Sequence, residues 1–296
     1  MNRQIVRFRS ETGAITIGVL VNGDIHLLNV PTIGVLLTQS KEKIGQLVQR
    51  AISTGDPVTD TVEFLAPIDG HTEVWAAGVT YLKSKAARIE ESAQASVYEL
   101  VYDAERPEIF FKAPAWRVIT SHDELFIRDD SELNVPEPEL AVVVNAYGEI
   151  VGYAICNDMS SRSIEGANPL YLPQAKVYDG SCALSNNFVL VDFDEPTHRE
   201  ITMEIERDGR SVWSGSSNTS KLKRSLRELI DAAHSHLAFP EGFFLSTGTG
   251  IVPEFGFSVQ ARDVVTIRID GLGSLVNLVG VRSAKPLEHQ ETAQAR

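Results

Sequence analysis

Residues 136–158 read Pro-Glu-Pro-Glu-Leu-Ala-Val-Val-Val-Asn-Ala-Tyr-Gly-Glu-Ile-Val-Gly-Tyr-Ala-Ile-Cys-Asn-Asp. Short apolar runs rich in valine and isoleucine, bounded by turn-forming residues, predict strands over Glu139 to Asn145 and Ile150 to Cys156. Similar runs follow at Ile109 to Lys112, Asn187 to Asp192, Ile201 to Arg207 and Val264 to Ile269, and only Lys221 to Leu237 interrupts them with a clear helix. Strands this numerous, without regular strand-helix alternation, argue against a doubly wound sheet and for a β-rich α+β domain built on a sandwich or roll.

Upstream, Ile15 to Val21 and Ile25 to Leu28 flank Asn22-Gly23-Asp24, a strong hairpin signal. Lys41 to Ser53 places Ile44, Leu47, Val48 and Ile52 on one helical stripe. The Pro- and Gly-containing stretch Pro67 to Thr72 suggests a boundary between a small β-rich domain, residues 1–69, and a catalytic domain, residues 70–287. An apolar run from Val74 to Val79 and a charged, alanine-rich helix from Leu82 to Val101 open the second domain, and residues 288–296 form a polar tail expected to fray.

The 296 residues carry 40 acidic against 27 basic side chains, a formal charge of −13 that disfavours nucleic acid and anionic membranes as partners. No segment is long and apolar enough to span a bilayer, and the start lacks a secretory apolar run, so a cytoplasmic location is expected. Cys156 and Cys182 lack metal-site spacing and are expected as reduced core residues.

Glu137 and Glu139 stand at i and i+2, so on an extended backbone both carboxylates project to the same face. The intervening Pro138 biases Glu137 toward extended geometry. Two like charges this close need solvent or a cation to stay ionised, and on these residues alone an exposed acidic turn fits as well. Asp158, closing the strand about twenty residues on, adds a third carboxylate. An oxygen-only set suits Mg²⁺, Mn²⁺ or Ca²⁺ rather than Zn²⁺, although an Asp after a strand is also a common cap.

Glu137-x-Glu139, Asp158, Lys176 and Gly248-Thr249, with Ala77-Gly78-Val79-Thr80-Tyr81 and Thr247-Gly248-Thr249-Gly250, together resemble the fumarylacetoacetate hydrolase superfamily over about residues 74–282. The resemblance implies a mixed β-sandwich roll and a divalent ion, Mg²⁺ foremost, on Glu137, Glu139 and Asp158. Arg106 to Lys112, Asn168 to Gln174 before Lys176, and the helix from Ser84 resemble a branch that dehydrates 2-keto-3-deoxy sugar acids to 2,5-dioxopentanoate. That branch implies Glu108 and Lys176 beside a small sugar-acid substrate, and family habit implies a homodimer or homotetramer.

Hydrolases of the family commonly have a water-activating histidine where this chain has Ser84, which cannot serve as that base near neutral pH. A lyase is therefore favoured over hydrolysis of acylpyruvates or diketo sugar acids. Dehydration needs one base and one acid, and Glu108 is favoured as base because a carboxylate is deprotonated at neutral pH, whereas Lys176 needs a large shift. Ser84, Arg88, Lys112, Tyr171 and Thr249 are the expected substrate contacts, while Trp75, Trp116 and Trp213 are expected to pack.

Overall fold

The computed structural model describes residues 2–91, 100–192 and 198–283. Its strands run β1 Gln4–Arg9, β2 Ile15–Val21, β3 Asp24–Leu27, β4 Glu63–Leu65, β5 Glu73–Gly78 and β6 Glu108–Pro114. They continue as β7 Glu124–Arg128, β8 Asn134–Val135, β9 Pro138–Val144, β10 Ile150–Asp158, β11 Ser160–Ser161 and β12 Cys182–Leu184. The last are β13 Asn187–Leu190, β14 Glu200–Arg207, β15 Arg210–Asn218, β16 Phe243–Thr249, β17 Val264–Ile269 and β18 Gly273–Arg282. Helices are α1 Ile33–Leu37, α2 Lys41–Thr54, α3 Leu82–Glu91, α4 Arg162–Ala167, α5 Leu172–Lys176 and α6 Leu226–His234.

Every residue of β9 and β10 is buried because both faces of this pair are covered, which is why they read as continuous apolar runs. Leu140, Val142 and Val144 join one core with β7, β14, β17, β18 and α6; Ala141 and Val143 join the other with α1, α2 and the first two strands. The large sheet is ordered β3-β2-β1-β13-β10-β9-β16-β5-β6, with β12 on β10 and β4 on β1. A five-stranded sheet, β15-β14-β17-β18-β7, packs against it, giving the β-rich sandwich expected. Both sheets are mixed: β16 runs parallel to β5, and β18 to β7.

The N-terminal hairpin turns at Asn22 and Gly23, both at positive φ of 54° and 96°, as a two-residue hairpin turn requires. β1 pairs with β13, so the N-terminal strands extend the main sheet rather than forming their own. α1 was not foreseen; the Thr32 hydroxyl and the Asp69 carboxylate accept its first N–H groups.

Three expectations need correction. The helix expected over Lys221 to Leu237 is only α6, because Ser225 caps it by accepting from the Glu228 N–H, with a 3₁₀ turn at Thr219–Lys221 upstream. The strand expected to reach Asp192 ends at Leu190. Trp116 does not pack: it is 75% exposed, with the Arg117 guanidinium over its ring. Trp75 does pack, edge-on to Phe111 and Phe239, and Trp213 lies against Phe257. Both cysteines are buried and free. Of the helix expected from Leu82 to Val101, the stretch 92–99 lies outside the described residues, as does the tail expected at 288–296.

Candidate metal centre and active site

β9 and β10 pair in antiparallel register with Glu139 opposite Cys156, and the Asp158 N–H donates to the Glu137 carbonyl at 2.9 Å. This pairing brings a ligand oxygen from each of Glu137, Glu139 and Asp158 within 4.8 Å of the others, all three buried. The alternation that puts i and i+2 on one face thus delivers the convergence the sequence implied.

The three carboxylates differ in what holds them. Glu137 takes Arg88 and Arg162 on Oε1, each at 3.1 Å, and the Lys176 ammonium on Oε2 at 3.0 Å. Burial pushes its carboxyl up, but Lys176, Arg88 and Arg162 outweigh this and hold it well below the usual carboxylate range. Glu139 has neutral partners, accepting from the Ser246 hydroxyl at 2.6 Å and the Gly248 N–H at 2.7 Å. Burial, and then the neighbouring Asp158 and Glu137 charges, push its carboxyl well up. Asp158 receives Lys176 at 2.8 Å on one oxygen and Lys112 at 2.6 Å on the other.

A divalent cation fits this donor set: three hard oxygen donors converge, and the hydrogen-bond partners of Glu139 are neutral. Gly248 is essential to the backbone here. It sits at φ +90°, and a Cβ would come within 2.9 Å of the Ala77 carbonyl oxygen.

Lys176, at the end of α5, directs its Nζ at Glu137, Asp158 and the Ser160 hydroxyl, the last at 2.5 Å, so three acceptors surround one ammonium. The Phe110 ring lies 5.7 Å from the same Nζ. Glu108, at the start of β6, lines the same cavity as Lys176. Its carboxyl is raised by burial, against the lowering pull of Arg88 and Lys176. Ser84 and Arg88, one turn apart on α3, line the same cavity, as does Thr249. The Thr249 hydroxyl is already engaged, donating to the Ile251 carbonyl at 3.0 Å.

Two expected substrate contacts fall elsewhere. Lys112 does not line the cavity: fully buried behind Asp158, it donates to the carbonyls of Met159 and Lys176 at 3.0 and 2.6 Å. Tyr171 is 43% exposed and outside the lining, because the 3₁₀ turn Pro169–Tyr171 ends before Leu172 turns inward. Glu165 was missed. It lines the cavity from α4, paired with Arg88, and lies 4.0 Å from Arg162. Its signal was the Arg162/Glu165 spacing of three just after Asp158, in a segment with no periodicity to mark it as helix. Among the described residues no histidine lines the cavity; His71 pairs with Glu241 in the boundary segment, and His234 packs on Phe239.

Residues 73–280 match the family model for the C-terminal domain of fumarylacetoacetate (FAA) hydrolase, and the chain belongs to that family. Within it, the chain is 43% identical over 264 residues to a probable 2-keto-3-deoxyxylonate dehydratase of Haloferax volcanii, covering 88% of this chain and 91% of the relative. It is 38% identical over 281 residues to the 2-dehydro-3-deoxy-D-arabinonate dehydratase of Saccharolobus solfataricus, covering 90% and 93%. A solved 2-keto-3-deoxy-D-arabinonate dehydratase complexed with magnesium and 2,5-dioxopentanoate superposes with a TM-score of 0.81 at 34% identity, covering 95% of this chain and all of the other.

Proposed function

We propose that this protein is a hydro-lyase that dehydrates 2-dehydro-3-deoxy-D-arabinonate to 2,5-dioxopentanoate with Mg²⁺. The observation that carries it is the buried Glu137, Glu139 and Asp158 cluster lining one cavity with Glu108 and Lys176, in a chain similar to dehydratases of this substrate over nine tenths of its length. A 2-keto-3-deoxy pentonate keeps a single stereocentre, C4, so names built on D-xylonate and D-arabinonate denote one compound.

Magnesium on Glu137, Glu139 and Asp158 would polarise the 2-keto group and acidify the C3 protons. Glu108 then takes a C3 proton at its carboxylate, and Lys176 Nζ delivers a proton to the departing C4 hydroxyl, which leaves as water. A proton moved from C5 and ketonisation of the resulting enol give the aldehyde. Arg88 and Ser84, which line the cavity, bind the polar groups of the sugar acid in this reading.

Hydrolysis is the competing reading, and Ser84, with no histidine lining the cavity among the described residues, counts against it. Incubation of the purified chain with Mg²⁺ and 2-keto-3-deoxy-D-arabinonate decides: 2,5-dioxopentanoate supports the lyase, and carbon-carbon cleavage products, or rapid turnover of acylpyruvates, overturn it. A homodimer or homotetramer and a place in pentose catabolism, which rest on family resemblance, and a cytoplasmic setting, which rests on the apolar pattern of the sequence, complete the reading; the mass in dilute solution checks the first. No helix among the described residues is long and apolar enough to cross a membrane.

A further inference from the structure

In the antiparallel pairing of β5 with β6, Gly78 stands opposite Glu108. A Cβ built at Gly78 would lie 2.0 Å from Oε2 of Glu108, 2.5 Å from its Cδ and 3.2 Å from its Cγ. The Glu108 side chain therefore lies across the bare face of the glycine on its way into the cavity. No hydrogen bond or ion pair to a described residue fixes that carboxylate, so its place depends on packing.

Gly78 differs in kind from Gly248. Its φ is not positive, so the backbone accepts any L-residue, and the atoms an added side chain would meet first belong to the flexible end of Glu108. At Gly248 the neighbours include backbone and the conformation is left-handed. A side chain at 78 is thus compatible with the fold and incompatible with the present position of one carboxylate.

We propose that Gly78 is a positioning residue: it keeps open the space through which Glu108 reaches the substrate, and a side chain there turns the carboxylate away from C3. This rests on the reading of Glu108 as the C3 base.

The test is Gly78→Ala, alone and combined with Glu108→Asp. The single variant should keep its Mg²⁺ affinity, KM and thermal midpoint while kcat falls about tenfold or more, with C3 solvent exchange falling in step, the scale of losing a general base. An aspartate at 108 puts its carboxyl carbon where Cγ now lies, 3.2 Å from the added methyl, so a shift of a few tenths of an ångström lets it coexist with alanine. Gly78→Ala should therefore cost little further activity in the Glu108→Asp background, a non-additivity that a general loss of stability would not produce. Parent-level kcat in Gly78→Ala, or full additivity in the double variant, overturns the proposal. A crystal structure of Gly78→Ala gives a readout independent of substrate: the Glu108 carboxylate displaced from the cavity supports the proposal, and its retention there overturns it. A parent enzyme that fails to turn over the sugar acid would instead count against the functional reading alone.

Discussion

Glu139, buried beside two other carboxylates, is held without a basic side chain among its hydrogen-bond partners. Its partners are a hydroxyl and a backbone N–H, whereas Glu137, two residues earlier, meets three basic side chains. Removing the Ser246 hydroxyl should weaken Mg²⁺ binding roughly tenfold, at the low end of the cost of losing a ligand's outer partner. Glu139→Gln should weaken it further while the fold is retained; calorimetric titration with Mg²⁺ and circular dichroism check both. Glu108 and Lys176 should separate by isotope exchange. Each of Glu108→Gln and Lys176→Met is expected to lower turnover about 10²-fold, but only the first should abolish C3 hydrogen exchange with solvent. Burial raises the Glu108 carboxyl, and a base acts only when ionised, so activity is lost as pH falls through that raised value. The acid limb of kcat/KM should therefore lie above the ordinary glutamate value of about 4.3. Glu137, Glu139 and Asp158 were legible because strand alternation and the end of an apolar run are local facts. Lys112 was misplaced because whether a strand residue faces a cavity or lies behind it depends on partners distant in sequence.

At the scale of elements, β6 is tethered by Lys112 to the end of β10 and the last turn of α5: its ammonium reaches Asp158 and the carbonyls of Met159 and Lys176. Lys112→Met would leave a buried carboxylate short of one cation and the Met159 carbonyl without its donor, while the Lys176 carbonyl keeps the Ser181 hydroxyl. Loss of one partner from a buried pair costs about 3–5 kcal/mol, so the variant should unfold at clearly lower urea concentration, and excess Mg²⁺ should recover part of the loss. The strands and the hairpin were readable because Asn22-Gly23 and the valine-rich runs satisfy local rules. The true start of α6 was readable too, in the Ser225-to-Glu228 cap, but the apolar period upstream of it masked the signal. α4 and α5, which bring Glu165 and Lys176 to the cavity and Arg162 to Glu137, are only 6 and 5 residues long and have no amphipathic pattern to announce them.

Across the whole molecule, the segment before Pro67 and the segment after it share a core: Ile5, Ile17, Leu36 and Val48 pack with Ala141, Val143 and Phe244. We propose that residues 1–69 and 70–287, although separable as stretches of chain, unfold together. Urea unfolding followed by Trp fluorescence and by circular dichroism should give coincident transitions; two resolved steps would show independent domains. The overall class of fold was legible because strand content survives in the pattern of apolar runs, but the joining of β1 to β13 was not, since nothing local records which edge a strand will meet.

The strand order also dictates when this chain can fold. β16 fills the place between β9 and β5, parallel to one and antiparallel to the other, although it follows them by about a hundred residues or more. β18 likewise closes over β7. On the ribosome, β5 and β9 therefore emerge with apolar, unpaired edges and must wait for Phe243–Thr249 before the sheet can join. A nascent chain halted short of that strand holds two halves of a sheet without the strand that unites them, exposed to chance pairing with neighbouring chains. The length of that wait, rather than any weakness of the finished core, is what a cell making this protein must guard against.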